Sequence, residues 1–517
     1  MTIIERLASF IVELTVENAG PETLRAARYQ TLDMIAAARY AREVPEALGV
    51  ARALGALGES AGRSTVIATR ELMAPAAAAY ANACFAMAHD FDDIVFAGHT
   101  CHSAVFASLA VAEQEGSSAN DFLLAVIASN EVAGRLGASS YFGPLNGQMV
   151  TYIHLLGAAA AAAKLLRLTP VQTAHALAIS LAQPNLALQP AFMGPSSKLL
   201  SAAVPIGTGI QAAYLAREGM QGHLGILEDA RGFWKYFSFL PLPAVFDDLG
   251  TFWVMQTLSM KFYPGCHYFQ TACEAVTALT RGRDRSELMR VEVATTKLAC
   301  EASAFGASYR GERLSPIDVN FDLRTTLAVL LRAGDIGTDE LKDEWLADNS
   351  RALAAWARRI FVTHDPALTL KVLASGGTIH SAHRAMRALT PGKVLMLARR
   401  YRESYASSLF SLREAVAWAR ALVVGMPDVR PPHGDAVALA FPSRVTVTWR
   451  NGESQTLQID YPAGTFALPS CAETLRKKWA KTGGSPSAFA VGLALGAAPL
   501  SAFLEICGVG TPSQKAA

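Results

Sequence analysis

The sequence predicts a mainly α protein in which a large helical domain accompanies a smaller α+β domain. Apolar residues recur at helical spacing from the N-terminus to about residue 260, whereas strand patterns are confined to residues 261–465. The chain has 517 residues, more than the roughly 250–300 at which a single hydrophobic core usually stops growing. We therefore expect a helical domain over 1–260 and an α+β domain over 261–465. The tail, 466–517, is predicted to be helical and can return to the first domain.

The first 260 residues carry the helical pattern. Ile3, Leu7 and Ile11 recur at a spacing of four, which places them on one helix face, and Pro21 stands where a second helix can begin. Further helices are predicted over 75–88, 104–115, 122–136, 151–166, 170–182 and 199–217.

The middle of the chain carries the strand pattern. Residues 290–298 alternate as a half-buried strand does, and Asn451-Gly452 between 445–449 and 455–461 is typical of a tight hairpin turn. Helices are predicted between these strands, over 323–332, 338–357 and 367–373.

The composition argues against several classes of partner. A formal net charge of +2 with 17% charged residues gives no electrostatic reason to bind nucleic acid. The most apolar stretch, 487–504, is interrupted by Gly492, Gly496 and Pro499, which makes it a poor membrane span. The seven cysteines are scattered without framework spacing, as expected of reduced thiols. We expect a cytoplasmic protein that binds neither nucleic acid nor membrane.

The segment His89–Ser103 concentrates the reactive side chains of the chain. Within fifteen residues it holds three carboxylates, three imidazoles and a thiol: Asp90, Asp92, Asp93, His89, His99, His102 and Cys101. The flanking segments are apolar and rich in alanine, so these charges require local compensation.

A helical conformation of this segment would place Asp90 and Asp93 on one face and point Asp92 elsewhere. Gly98 could then turn the following histidines back toward the carboxylates. Three interpretations stay open: a catalytic site, a structural network in which the acids cap the next helix, and a metal site with mixed His and Asp ligands.

Two isolated residues are further candidates. His154 lies just before an alanine run, where a buried structural histidine is the usual interpretation. Lys198 ends a loop of small residues and can present its ammonium group to an anion, although a surface charge is the simpler alternative.

Taken together and in order, several motifs resemble the MmgE/PrpD family, which includes 2-methylcitrate dehydratase, cis-aconitate decarboxylase and iminodisuccinate epimerase. The motifs are His89-Asp-Phe-Asp-Asp93, Asn130-Glu-Val-Ala-Gly-Arg-Leu-Gly137, Gly157 with its alanine run, Lys198, Gly222 to Phe233, and Lys261-Phe-Tyr-Pro264. The resemblance covers most of residues 1–375 and 440–485.

The resemblance implies an architecture. It implies a discontinuous all-helical domain made of 1–260 and 466–517, an α+β lid domain over 261–465, and a homodimer. It also implies that no metal and no organic cofactor is needed. Residues 377–436 look like a helical insertion in the lid.

The resemblance also implies a site for a small carboxylate substrate. The residues expected to be catalytic are Asp90, Asp93, His99, His102 and Lys198. Those expected to bind substrate are Lys261, Gln148, His154, Ser197, Cys266 and His267. The chain departs from the family at Ile94, at Gln148 and at Thr325.

The predicted function is a cofactor-independent lyase or isomerase acting on a small di- or tricarboxylate. Dehydration, decarboxylation and epimerisation of such substrates share a carbanion or enolate next to a carboxylate, which needs cations and a proton-transfer group. His99 or His102, oriented by Asp90 or Asp93, can transfer the proton. The alternatives are a metal-dependent lyase or hydrolase using the same Asp/His cluster, and a non-catalytic descendant of the fold.

Overall fold

Segments from both ends of the chain pack into the same structural unit. The computed structural model describes residues 1–144, 151–193, 196–376, 390–405 and 437–506. The first unit comprises Met1–Ala88, Asp92–Met260 and the segment from Ala472 onward, and the second comprises His89–Phe91 and Lys261–Cys471. Residues 89–91 and 466–471, which we expected in the helical domain, therefore belong to the second unit. That the second unit acts as a lid stays a prediction.

The fold class is confirmed as mainly α with a small α+β part. The first unit contains helices Ile3–Glu13, Val16–Tyr40, Pro45–Ala56, Pro75–Met87, Ser108–Glu115, Ala119–Ser139, Ile153–Leu165, Pro170–Ser180, Gln189–Met193, Leu200–Arg217, Phe233–Phe237, Pro486–Leu493 and Leu500–Ile506, with most of Ser470–Lys481.

Local sequence explains where these helices start and end. Thr2 and Thr169 each form a capping box at the start of a helix. Gly20 has φ 75° inside Val16–Tyr40, so the chain turns there and Pro21 begins the next helical segment as predicted. The first unit is not strictly all-helical, because two-residue strands at Ser64–Thr65 and Leu72–Met73 pair antiparallel.

The core of the first unit is built around the helix Ile153–Leu165. Every side chain in this helix except Lys164 is buried, and the helix packs against Ala119–Ser139 and Leu200–Arg217. Leu200–Arg217 in turn packs against Pro75–Met87. Small residues permit this spacing: a Cβ at Gly209 would lie 2.4 Å from the Leu155 carbonyl oxygen.

The second unit contains a four-stranded sheet in the order Ile360–His364, Leu288–Thr295, Ser443–Trp449, Ser454–Ile459. The first pair is parallel and the other two are antiparallel. Gly452 has φ 85° in the hairpin turn, which confirms the hairpin prediction. The helices of this unit are Gln270–Thr280, Lys297–Ser308, Pro316–Phe321, Leu323–Ala333, Asp343–Ala357, Pro366–Gly376 and Pro391–Tyr405.

Most of the predicted insertion, 377–436, lies outside the described residues. The part that is described, Pro391–Tyr405, is helical, and it buries Leu397 and Tyr401 while Leu395 is exposed. The insertion as a functional element stays a prediction.

One stretch, Ser196–Arg217, is long and apolar enough to cross a membrane by length and composition alone. Of the 18 residues in its most apolar part, 56% are buried inside the protein. A core helix passes the same test, so this is weak evidence for a membrane span.

Candidate active site

The segment that links Pro75–Met87 to the next helix is an irregular loop. Residues 91–100 contain no helix, and Asp90 has φ 51°, in the left-handed region, which interrupts a right-handed helix. The expectation that Asp90 and Asp93 share a helix face is therefore wrong. A short π-helix, His102–Ala107, follows the loop, and single π-helical turns are frequent at functional sites.

His99 is held through its Nδ1 atom by the Asp93 backbone and lies at ion-pair distance from Asp92. Nδ1 donates to the Asp93 carbonyl oxygen at 2.9 Å, and Asp92 Oδ2 lies 2.6 Å from the same nitrogen. Because a carbonyl oxygen can only accept, Nδ1 carries the hydrogen, which leaves Nε2 to accept a proton. The Asp92 side chain is 1% exposed, whereas His99 is 19% exposed. The pair thus combines a buried carboxylate with an imidazole that reaches solvent.

Asp93 is tied to two helices that flank the loop. Its Oδ1 accepts from Gln30 Nε2 at 3.0 Å, and Gln30 and Asn130 exchange hydrogen bonds at 2.7 and 3.2 Å. Thr100 donates to Asn130 Oδ1 at 2.5 Å. This network holds the loop on both sides of His99.

A buried ion pair lies next to this network. Lys478 Nζ lies 2.8 Å from Asp33 Oδ1, and both side chains are fully buried. Burial raises the pKa of Asp93 well above its ordinary value, and the nearby charges of Asp33 and Asp92 raise it further, against the Gln30 hydrogen bond and the Lys478 charge. Asp93 therefore favours its protonated form, unlike the ionised carboxylate expected to orient a histidine.

His102 and His154 meet edge to face in the buried interior. Their ring centroids are 5.5 Å apart with an interplanar angle of 82°. Ser103 donates to the Thr100 carbonyl oxygen at 3.1 Å, so its Oγ is left to accept from His154 Nδ1 at 3.0 Å. His154 Nε2 then carries a lone pair, and no hydrogen-bond partner for it is found among the described residues.

His154 stays neutral in this setting. Burial lowers its pKa well below the ordinary value, and the nearby His102 and His99 lower it further, while Asp92 acts in the opposite direction. A neutral imidazole with an available Nε2 can accept a hydrogen bond or a proton from a bound molecule. His154 is thus a buried, hydrogen-bonded histidine, as the structural interpretation expects, and it also lies against His102.

One set of side chains in the described part of the chain has the composition of a metal site. Ligand atoms of Asp92, Cys101 and His102 lie within 4.8 Å of one another, and all three residues are buried. Cys101 Sγ lies 3.6 Å from His102 Nδ1 and donates to the Asp93 carbonyl oxygen at 3.5 Å.

Gly157 allows the helices around His154 to approach closely. A Cβ at this position would lie 2.6 Å from Ser103 Oγ and 2.9 Å from Ser129 Oγ. Aromatic packing fixes the start of the helix Ile153–Leu165. The ring of Tyr152, just before this helix, lies edge to face against the ring of Phe233, with the two ring centroids 4.9 Å apart.

Lys198 lies in a 3₁₀ turn, Ser196–Leu199, that packs against Pro75–Met87. The side chain is only 5% exposed, and its ammonium group lies 5.7 Å from the Phe192 ring centroid. It is therefore a buried cation and not the surface charge of the simpler interpretation. Ser197 Oγ donates a hydrogen bond to the Ala191 carbonyl oxygen at 3.2 Å.

The second unit gathers the other predicted site residues. The Asp90 carbonyl oxygen accepts from Lys261 Nζ at 2.8 Å and from Gly265 N at 3.0 Å. Asn320 Nδ2 donates to Asp90 Oδ2 at 3.5 Å. Lys261 is 1% exposed, so this buried cation is compensated in part by a backbone carbonyl.

Cys266 and His267 continue this second group. Cys266 N donates to the Asn320 carbonyl oxygen at 2.8 Å. His267 is buried, with its ring edge to face against Phe441 at 4.7 Å.

The structure thus joins His99, His102, Asp93 and His154 in the first unit, and Asp90, Lys261, Cys266 and His267 in the second. Gln148 lies outside the described residues. Asp92 is the residue that sequence reasoning missed: it partners His99, whereas we had assigned that role to Asp90 or Asp93.

Two open grooves occur elsewhere on the first unit, with volumes of about 400 and 840 Å³. Trp253 lies in the first and Glu113 in the second, and neither groove is lined by a histidine or a cysteine. The Asp/His cluster contains carboxylate, imidazole and thiol groups that can transfer protons or bind ligands, so it is the better candidate site.

The N-terminal part of the chain matches a known protein family. Residues 5–241 match the model of the MmgE/PrpD N-terminal domain. These residues make up just under half of the chain and are similar to the MmgE/PrpD family. This confirms the resemblance drawn from the motifs, and the matched MmgE/PrpD domain includes the loop, the π-helix and Lys198.

Curated relatives are distant. The chain is 29% identical over 286 residues to cis-aconitate decarboxylase from Aspergillus terreus strain NIH 2624, an alignment that covers 52% of this chain and 58% of the relative. It is 28% identical over 238 residues to the cis-aconitate decarboxylase-like protein oryM of Aspergillus oryzae, covering 44% and 49%. The chain spans about half the length of the curated relatives it matches.

Proposed function

We propose that the protein is a cofactor-independent lyase or isomerase of small di- or tricarboxylates in which His99 transfers the proton. The observation that carries the proposal is the contact of His99 Nδ1 with Asp92 at 2.6 Å on an imidazole that still reaches solvent. A carboxylate in this position fixes the tautomer of the ring and stabilises the imidazolium that forms when Nε2 takes up a proton.

This arrangement suits a reaction that passes through a carbanion or enolate. In a decarboxylation, the bond between the carboxylate and its carbon breaks, carbon dioxide leaves, and the electron pair stays on the substrate carbon. The imidazolium of His99 then donates its Nε2 proton to that carbon, and the neutral ring regains a proton from solvent. In a dehydration or epimerisation the same nitrogen would first remove a proton from carbon.

Cations are needed to bind the substrate carboxylates, and Lys198 is our candidate in the MmgE/PrpD domain. A buried ammonium group gains more from an anion than an exposed one does, because water competes less for it. His154 Nε2 is our candidate acceptor for a substrate hydroxyl or carboxyl proton. Lys261, Gln148, Ser197, Cys266 and His267 stay predicted substrate contacts.

The similarity to cis-aconitate decarboxylases supports a specific first substrate. We propose cis-aconitate, an unsaturated tricarboxylate, as the compound to test, with decarboxylation as the first reaction. A homodimer and a cytoplasmic location follow from the family resemblance and the composition and stay predictions.

The test is turnover of cis-aconitate and of related tricarboxylates by purified protein, with products identified by mass spectrometry. His99→Gln and Asp92→Asn should each lower turnover by roughly 10²–10⁴-fold, the usual contribution of general acid–base catalysis, with little change in KM. His223→Gln is the matched control, because that histidine is 69% exposed and pairs only with Asp229 at the surface. Full turnover in His99→Gln would overturn the role of His99.

A metal-dependent lyase is the second candidate, favoured by the set of Asp92, Cys101 and His102. Turnover that is lost on chelation and restored by one equivalent of a divalent metal would support this candidate against the first.

A further inference from the structure

We propose that Asp92, Cys101 and His102 form a binding site for a thiophilic divalent cation such as Zn²⁺, and that occupancy of this site inhibits the reaction assigned above. The inhibitory part rests on the proposed function, whereas the binding part does not. The three ligand atoms lie within 4.8 Å of one another on buried side chains.

The spacing of the sulfur and nitrogen ligands fits tetrahedral coordination. Zinc binds thiolate sulfur at about 2.3 Å and imidazole nitrogen at about 2.05 Å, so two such ligands at a tetrahedral angle lie about 3.6 Å apart. Cys101 Sγ lies 3.6 Å from His102 Nδ1. The pair therefore already has the separation of two metal ligands. Nδ1 also lies 3.4 Å from the His99 carbonyl oxygen, so the ring hydrogen has to be on Nε2 when Nδ1 binds a metal.

The donor set selects for soft and borderline metals. A thiolate, an imidazole and a carboxylate favour Zn²⁺, Co²⁺ or Cd²⁺ over Mg²⁺ or Ca²⁺, which prefer six or more oxygen ligands. On binding, the S–H bond of Cys101 breaks, its proton leaves to solvent, and a sulfur–metal bond forms without any change of oxidation state. Three protein ligands leave a fourth position for water or for a substrate carboxylate.

Occupancy of this site conflicts with the proposed chemistry because Asp92 would serve two partners. Its Oδ2 lies 2.6 Å from His99 Nδ1, and a cation bound by Asp92, Cys101 and His102 draws this carboxylate toward the other two ligands. The metal thus takes the carboxylate that positions the ring of His99. A small amount of thiophilic metal should therefore inhibit turnover.

The binding test uses the full-length protein and Co²⁺ as the probe. The wild-type protein should bind one equivalent of Co²⁺ with a thiolate-to-cobalt charge-transfer band, and excess Zn²⁺ should abolish that band. Cys101→Ser should remove the band and weaken metal binding by at least about 10-fold, the smallest loss typical for even an outer-shell partner.

Cys84→Ser is the matched control. Cys84 is equally buried, and its thiol likewise donates to a backbone carbonyl, that of Leu199 at 3.4 Å, but it is not part of the metal-binding set. The charge-transfer band and the Co²⁺ affinity of Cys84→Ser should equal those of the wild-type protein. A band that persists in Cys101→Ser, or wild-type protein that retains no Co²⁺ after dialysis, would overturn the site.

The inhibition test adds Zn²⁺ to protein that turns over a substrate. Zn²⁺ should inhibit the wild-type protein and Cys84→Ser, whereas the turnover of Cys101→Ser, whatever its value without metal, should not respond to Zn²⁺. Equal inhibition of all three variants would mean an adventitious surface site and would overturn the inhibitory role. If no substrate is found, the Co²⁺ band still decides the binding part, so failure of the proposed function and failure of the metal site are distinguishable.

Discussion

The roles that we propose for His99 and Lys198 are separable at the scale of single residues. In this proposal the imidazole acts on the reacting carbon, so its removal should lower turnover. The ammonium group would bind an anion in the ground state and in the transition state alike, so its removal should weaken binding.

Lys198→Met should therefore raise KM with turnover nearly unchanged. A hydrogen bond to a charged group contributes about 1.5–3 kcal/mol, which corresponds to an increase of roughly tenfold to 150-fold in KM. Steady-state kinetics measure this, with Lys235→Met as a control because Lys235 is exposed. A fall in turnover at constant KM would instead place Lys198 at the reacting bond.

The sequence located the reactive residues but not their pairing. The composition of His89–Ser103 predicts a site there, and of its histidines His102 does lie against His154. The pairing of His99 with Asp92 was missed because the argument assumed helical periodicity through a loop in which Asp90 has φ 51°. Local spacing predicts neighbours only where the backbone is regular.

At the scale of helices and strands, one glycine controls the geometry of the site. Gly157→Ala would place a Cβ 2.6 Å from Ser103 Oγ, which forces apart the two helices that hold Ser103 and His154. We expect a loss of about 1–3 kcal/mol in the free energy of unfolding, as for other overpacked cores, together with reduced turnover.

Gly207→Ala is the control for this prediction. It lies in the helix Leu200–Arg217, and a Cβ there would meet only Tyr80 Cδ2 at an ordinary 3.9 Å. Because alanine favours a helix over glycine by up to about 1 kcal/mol, this variant should be unchanged or more stable. Urea denaturation of both variants measures the difference, and equal effects of the two would contradict the packing argument.

A titratable contact in the second unit predicts a pH dependence of stability. Glu274, on helix Gln270–Thr280, accepts from Ala463 N at 2.9 Å, and burial raises its pKa from 4.5 to about 7 against the effect of that hydrogen bond. Between these two pH values the folded chain binds more protons than the unfolded chain, so this group's contribution to stability falls as the pH rises.

Glu274→Gln should abolish that contribution. The variant and the wild-type protein should be similar near pH 4.5, and the variant should be more stable at pH 7, by up to about 3 kcal/mol. Thermal unfolding across this range tests it. Glu453→Gln should instead be less stable than the wild-type protein at pH 7, because the hydrogen bond from Arg283 lowers the pKa of Glu453 from 4.5 to about 2. That difference should shrink as the pH falls below 4.5. A constant difference between wild type and Glu274→Gln would count against the raised pKa.

Element prediction succeeded where the pattern was long and failed where it was short. The hairpin around Gly452 and the long helices follow from periodicity and turn chemistry. The strand Ile360–His364 was not predicted, because it is only five residues long. Its burial alternates, but Phe361 is apolar and exposed, so the sequence itself shows no alternation of apolar and polar residues. The π-helix His102–Ala107 has no periodic signature that distinguishes it from an α-helix.

At the scale of the whole molecule, the buried pair of Lys478 and Asp33 joins the tail to the first helices. Lys478→Met would leave a buried carboxylate without its cation, which typically costs about 3–5 kcal/mol. Arg476→Ala, on the same helix, removes an exposed pair with Glu473 and should cost under about 1 kcal/mol.

Denaturant unfolding measures both variants. The double variant Asp33→Leu/Lys478→Met should recover much of the loss, since a buried ion pair can often be replaced by apolar residues at little cost. A Lys478→Met variant no less stable than Arg476→Ala would show that this pair does not stabilise the first unit.

The fold class and the return of the tail to the first unit were predictable at this scale. Strand patterns confined to the middle of the chain separate two kinds of region, and the family resemblance implies that both ends combine. The buried Lys478–Asp33 pair was not predictable, because charges so far apart in sequence carry no mutual signal.

The discontinuity of the first unit has a consequence for the order of biosynthesis. Arg39 donates to the Gly483 carbonyl oxygen across 444 residues of chain, and Asp33 receives its cation from the same late segment. During translation the early helices leave the ribosome long before these partners exist, and the whole second unit is made in the interval. The nascent helical region must therefore wait, with apolar surface and an uncompensated carboxylate exposed, until its last helices are released. Completion of the first unit thus waits until the second unit and the helices that follow it have been made, and the waiting chain is a natural client for chaperones that bind apolar segments.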